Sequence, residues 1–442
     1  MLRRLPCFSN PLAGVTYIGL FNSQAMSDIQ YEKFELGNGL RVIVHEDHSL
    51  AKVAFNVLYR VGARNEDPDR TGFAHLFEHL MFGGSKHIPD YDTHLQRVGG
   101  ENNAFTTNDI TNYYISLPSN QVETAFWLES DRMLELDFSQ KSLDVQKSVV
   151  IEEFKQRYLN KPYGDAHLLL RAIHFQVHPY HWPTIGKNIE QIEGASLDDV
   201  KSFFYRFYAP NNATLVLAGD ITVAEAKRLS EKWFGPIPRR TLGHKPLAVE
   251  PPQTSPRSHT VHKEVPYPAV YKMYHIPGRD HPDYFAADIL TDILSNGKAG
   301  HLFQRMVKES ELATSARAFS WGAYDPGMIS VDATLAKGKT VEEYELALQE
   351  VLKGLEDLSE QELQRVKNAV ESQYVMERGV LLNKAMMLAM ADSRDQVHTI
   401  NDDIEIFMAL TTDNIRKAAQ TYFSPENCST LYYLPMEDKA HA

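Results

Sequence analysis

Two stretches of the chain, "SLDDVKSFFYRFYAPNNATLVLAG" (Ser196 to Gly219) and "TTDNIRKAAQTYFSPENCSTLYYLP" (Thr411 to Pro435), follow one plan. Each opens on a hydroxyl side chain suited to cap a helix, then runs into an amphipathic segment. Each then passes an aromatic pair, a proline and an asparagine before closing in an apolar, strand-like run. Ser196 and Thr411 stand 215 positions apart, as do Pro210 and Pro425. The same offset pairs "AFNVLYRVG" (Ala54 to Gly62) with "AVYKMYHIP" (Ala269 to Pro277), both β-prone and both closed by a Gly or Pro. Two matches at opposite ends of one unit imply a duplicated domain of about 200 residues.

The segment "FGPIPRRTLGHKPLAVEPPQTSPRSH" (Phe234 to His259) is rich in proline and charge and has no hydrophobic period, so it reads as the connection between the copies. The expected division is an N-terminal extension over 1–28, a first domain over 29–237, a linker over 238–261 and a second homologous domain over 262–442. Strand-like runs such as "LRVIVHE" and "TNYYISL" mix with helical runs such as "NQVETAFWLESDRMLEL" and "TVEEYELALQEVLKGL". The expected fold class is α+β, with two homologous domains, each a mixed, partly antiparallel sheet with helices packed on one face.

A chain of 442 residues exceeds one ordinary core, in keeping with two domains. A net charge of −13 and the lack of a basic patch set nucleic-acid binding aside. Two cysteines, Cys7 and Cys428, allow at most one bridge and have no metal-ligating neighbours. No apolar run approaches the roughly 18 residues of a spanning helix. The first 28 residues, "MLRRLPCFSNPLAGVTYIGLFNSQAMSD", read as a poor leader or as an extension before a true start at Met26. The expected compartment is cytoplasmic, with periplasmic or organellar as the alternative if residues 1–28 are a genuine leader.

Chemistry concentrates in "HLFEHLMFGGSKH" (His75 to His87). On a helix His75 and His79, four apart, share a face, and Glu78 lies on the same side. The pattern His-x-x-Glu-His is the inverted form of the zinc-peptidase helix. The competing reading is a core helix whose histidines pair with carboxylates. The duplication supplies an internal comparison: shifting His75 and His79 by 215 lands on Leu290 and Leu294, so the fold does not demand the histidines. A catalytic zinc uses three protein ligands and leaves one position open. A second helical run, "SLDVQKSVVIEEFKQRYLN" (Ser142 to Asn160), offers Glu152 or Glu153, and periodicity does not choose between them. His87, past Gly83 and Gly84, reads as a surface residue.

Taken in order, "GFAHLFEHLMFGGS", "GGENNAFTTNDITNYY", "VVIEEF" and the two-copy layout resemble the pitrilysin/insulinase family of zinc peptidases, and more narrowly its processing-peptidase-type subunits. The resemblance covers nearly all of the chain after Tyr31. It implies one Zn2+ per chain held by His75, His79 and Glu153, with Glu78 as the base that takes a proton from the zinc-bound water. It also implies that Asn103, Ala104, Phe105 and Thr106 form an edge strand that binds substrate backbone by strand addition.

Two positions depart from the family pattern. Gln146 stands where a second glutamate is usual. In "NGKAGHLFQRMVKESELATSARAFSW" (Asn296 to Trp321), His301 and Thr314 stand where the family has an arginine and a tyrosine, and Arg305 comes a helical turn late. The expectation is therefore an endopeptidase subunit acting on peptides or unfolded segments, paired with a homologous subunit that lacks zinc ligands and supplies the arginine and tyrosine. A homodimer is possible. The alternatives are a non-catalytic structural or assembly subunit of the same fold, and a peptide-binding module that uses the edge strand alone.

Overall fold

The structure, a computed structural model, describes residues 28–436. The leader reading and Cys7 lie outside these residues. The first sheet holds β1 (Glu32–Glu35), β2 (Arg41–Glu46), β3 (Lys52–Tyr59), β4 (Glu101–Thr106), β5 (Thr111–Pro118) and β6 (Ala213–Gly219) in the order β1-β2-β6-β3-β5-β4. The second holds β7 (Arg257–Lys263), β8 (Ala269–Ile276), β9 (Ala313–Trp321), β10 (Gly327–Leu335) and β11 (Cys428–Pro435) in the order β7-β11-β8-β10-β9. Each sheet has one parallel pair, β2 with β6 and β7 with β11, and is otherwise antiparallel. Removing β1 leaves the same strand order twice.

The duplication holds residue by residue. The helices Leu197–Phe207 and Thr412–Tyr422 start 215 positions apart, each under a capping box, from Ser196 and Thr411 respectively. The linker, expected to run to 261, ends earlier, because β7 starts at Arg257. That strand lies on the sheet edge with five of its seven residues exposed and none buried, so no apolar period marks it.

Strand periodicity explains the two-sided cores. Along β3, Val53, Phe55, Val57 and Tyr59 point into the main core of the first half. Ala54 and Leu58 point to the opposite face, with Ile43, Val216 and Ala218. That opposite face is covered by the helix Leu381–Ser393 from the second half, through Ala385, Leu388 and Ala389. The reciprocal holds in the other half. The helix Ala166–His174 of the first half lays Ala166 and Leu170 on the outer face of the second sheet, against Ala269, Tyr271, Met273 and Leu431. These two crossing helices also start 215 positions apart. Beyond the helices expected on one face, each sheet thus carries one helix from the other half on its second face.

Polar contacts pin both crossings. Asp392, wholly buried, accepts from Lys33 Nζ at 2.5 Å, from Thr214 Oγ1 at 2.6 Å and pairs with Arg41 Nε at 3.0 Å. At the other crossing, His174 stacks on His275 with ring centroids 3.6 Å apart and bonds Ser429 Oγ at 3.1 Å. Burial lowers both imidazoles. For His275 the shift is to about 4, with Arg257 adding and Glu250 opposing. In the unfolded chain this histidine titrates near 6.5. Between the two values the unfolded state binds more protons. The contribution is therefore complete above pH 6.5 and is lost as pH falls toward 4, on the order of 3 kcal/mol from His275. Urea unfolding at stepped pH should show this decline, and His275→Phe should reduce it, leaving the part that His174 contributes.

Candidate metal centre

The helix Phe73–Leu80 begins at Gly72, whose φ of +89° and near contact with the Ile185 carbonyl leave no room for a side chain. Two N–H groups at its start are taken by a residue from outside the helix. Glu66 accepts from Gly72 N at 3.0 Å and Ala74 N at 2.7 Å, and Trp182 Nε1 donates to it at 3.0 Å. Burial nevertheless pushes the Glu66 carboxyl up to about 8. This clamp fixes the start of the turn that carries His75.

His75 and His79 project to one side, their ring centroids 4.8 Å apart. The helix Gln140–Phe154 brings Glu153 to them: its Oε2 lies 2.9 Å from His75 Nε2 and 3.6 Å from His79 Nε2. Glu152, the other candidate, points to solvent and pairs with Lys155 at 2.7 Å. Glu78 Oε2 sits 3.5 Å from His75 Nδ1 and accepts a short bond from Thr106 Oγ1. Burial works against a charged His75, yet the hydrogen bonds it donates to the Glu153 and Glu78 carboxylates carry it up to about 9. The same contacts with His75 and His79 hold Glu153 well below the usual carboxylate range.

His75, His79 and Glu153 each present one donor atom, all within 4.8 Å of one another. Tetrahedral donors about 2.0–2.2 Å from one zinc ion lie roughly 3.3–3.6 Å apart, close to the 2.9 and 3.6 Å that separate Glu153 Oε2 from the two imidazoles. The set of two imidazoles and one carboxylate fits zinc and leaves a fourth position open.

Other expected residues fall as follows. Asn103, Ala104, Phe105 and Thr106 lie on β4, which among the described residues pairs only with β5 and forms the edge of its sheet. The Ala104 N–H is met locally by Asn103 Oδ1 at 2.8 Å, so the edge is open to another strand once that side chain turns away. His87 is exposed and bonded to Asp131 at 2.6 Å. Gln146 lies two turns before Glu153, half-buried. His301 bonds Glu362 at 3.2 Å, Thr314 donates to the Thr334 carbonyl at 3.2 Å and Arg305 pairs with Glu350 at 2.8 Å, all within the second half.

Three contributions were not read from the sequence. Glu66 is separated from the helix it caps by an irregular loop. The resemblance implies Thr106 for its backbone on the substrate strand, whereas its hydroxyl reaches Glu78. Arg157 holds the second oxygen of Glu153 at 2.6 Å from the π-turn Lys155–Leu159. Its spacing of four from Glu153 was a usable signal.

Comparison with known proteins decides the lineage. Residues 41–187 match the model described as Insulinase (Peptidase family M16), and residues 194–370 match the model described as Peptidase M16 inactive domain. The chain belongs to the pitrilysin/insulinase family. Among curated relatives, it is 28% identical over 417 residues to a zinc protease, PqqE, of Helicobacter pylori, covering 92% of this chain and 93% of that protein. It is 27% identical to a probable mitochondrial-processing peptidase subunit beta of Schizosaccharomyces pombe, covering 67% of each. A crystal structure of a protease from Helicobacter pylori superposes with a TM-score of 0.86 at 26% identity, covering 92% of this chain and all of that one. An M16 inactive-domain structure from Pseudomonas fluorescens shares the fold at 17% identity with a TM-score of 0.81. The insulinase match covers His75, Glu78, His79 and Glu153. The inactive-domain match covers Leu290 and Leu294, which occupy the corresponding helix and are wholly buried. Within this family member the donor cluster therefore sits in the first copy and plain core packing in the second. Among the described residues no helix is long and apolar enough to cross a membrane.

Proposed function

We propose that the chain is the zinc-binding subunit of an endopeptidase that hydrolyses peptides or unfolded protein segments. The observation that carries this reading is the convergence of His75, His79 and Glu153 beside Glu78, at the end of an open sheet edge. The zinc-protease names of the relatives support it. His75, His79 and Glu153 would hold one Zn2+. When bound, zinc polarises the scissile carbonyl and lowers the pKa of the attacking water toward about 7.

The chain's own residues supply the rest. Thr106 and His75 engage Glu78 at Oε2, so Oε1, which has no partner among the described residues, is the oxygen that receives the proton of the attacking water. Glu78 then returns that proton to the leaving amine. The substrate backbone adds to β4 at Asn103–Thr106, and Thr106 ties the register of that strand to the position of the base. Glu66 and Arg157 keep the histidine helix and the Glu153 carboxylate in place. Removing the Arg157 charge with Arg157→Leu is expected to weaken zinc binding about 10–100-fold, read by competition with a chromogenic chelator.

His301, Thr314 and Arg305 are occupied by partners in the second half, which supports a division of labour. A homologous subunit without the ligands supplies the cation and the phenol that stabilise the oxyanion. Purified chain should hydrolyse an unstructured peptide feebly alone, strongly with such a subunit and not at all after chelation, with activity restored by added zinc. Strong turnover by the chain alone would remove the partner from the account. Turnover that survives chelation would remove the metal.

A further inference from the structure

A cavity of about 460 Å³ lies where the two halves meet, lined by the β4–β5 turn, by residues 319–324 and by both crossing helices. Four guanidinium groups face it. Three are matched by carboxylates: Arg279 with Asp403 at 3.5 Å, Arg317 with Asp332 at 3.0 Å and Arg394 with Asp280 at 2.9 Å. The fourth, Arg171, has no carboxylate partner among the described residues. Its Nη1 donates to Asn108 Oδ1 at 3.2 Å and to the carbonyls of Tyr180 and Trp182 at 3.3 and 3.5 Å. Its plane stacks on Trp321 at 4.4 Å. Nε and Nη2 have no partner among the described residues.

The lining acids do not compensate it. Asp109 is taken by Arg64 at 3.1 Å and Tyr180 Oη at 2.5 Å, Asp288 by Ser320 Oγ, and Asp403 by Arg279. Arg171 is half-buried, held by its bonds and by Trp321, and has no countercharge, so an anion arriving at its accessible edge would complete it. The free Nε–Nη2 edge is the fork that pairs with a carboxylate through two parallel bonds.

We propose that this cavity is a carboxylate-binding site, with Arg171 as the receptor and Trp321 as the platform that holds it. Tyr158, on the π-turn Lys155–Leu159 that follows Glu153, lines the cavity, which places the site beside the segment that carries the candidate ligand. The carboxylate is either that of a small organic acid or the C-terminus of a bound peptide. The peptide case rests on the hydrolytic reading above, whereas the small-acid case does not.

The test is calorimetry on full-length chain carrying Glu78→Gln, so that no hydrolysis intervenes. The probes are succinate, an unstructured peptide with a free C-terminus and the same peptide amidated. Either succinate binds or the free acid binds about tenfold or more tighter than the amide, and Arg171→Gln removes that binding or preference. Arg171→Lys, which keeps the charge without the fork, also weakens it, and carries the test if Arg171→Gln does not fold. Absence of both succinate binding and acid preference overturns the proposal, as does undiminished binding by a folded Arg171 variant. Because no turnover is read, either negative result leaves the hydrolytic function standing.

Discussion

Replacing Glu78 with glutamine is expected to reduce peptide hydrolysis by about 10²–10⁴-fold, the range of a lost general base. The substitution keeps the shape of the side chain, and its amide oxygen still accepts from Thr106 Oγ1. What it loses is the capacity to take a proton. Because Glu78 lies beside the donor cluster and is not one of its three members, zinc content should be unchanged. The loss should appear in kcat measured with the complementary subunit present. An E78Q chain with unaltered kcat would assign the chain to the non-catalytic, structural role that the same fold can serve.

The second large effect concerns the crossing helices. Leu388, wholly buried, packs from the second half onto Ile43, Leu58 and Val216 of the first sheet. Leu388→Ala should cost about 2–5 kcal/mol, the range for a buried leucine that leaves a cavity. Neither sheet is covered on both faces without the other half, so wild type should unfold in urea as one transition seen alike by probes in both halves. The variant should move the whole transition to lower urea. A change confined to the second half, or one below about 0.5 kcal/mol, would contradict the reciprocal packing.

Much of this was legible because the signals are local. The capped helix, proline, asparagine and strand of Ser196 to Gly219 and Thr411 to Pro435 obey short-range rules, and the structure repeats them at the same offset. His75 and His79 are legible because a helical period of 3.6 dictates that they share a face. Glu153 is a different case: the apolar run before it does not separate it from Glu152, and the resemblance to a family made the choice. The structure shows why it fell there, since Glu152 is held outward by Lys155 while Arg157 holds Glu153 from behind.

What escaped the sequence is long-range. Nothing in "AHLLLRAIH" (Ala166 to His174) says which of two similar sheets its apolar face covers. Glu66 caps a helix across a loop, and Arg171 is held by Asn108, Tyr180 and Trp182 of the first half together with Trp321 of the second. The strand at Arg257–Lys263 was missed for the opposite reason: an edge strand with mostly exposed side chains has no apolar period to detect.

The central claim, that His75, His79 and Glu153 form a single metal site in the first copy, is tested most directly by metal stoichiometry. Purified chain equilibrated with zinc and gel-filtered should hold one zinc per chain by mass spectrometry, as should Glu78→Gln, and the double variant His75→Leu/His79→Leu, which copies the leucines of the second half, should hold none. Zinc retained by the double variant, or absent from the parent chain, would contradict the claim.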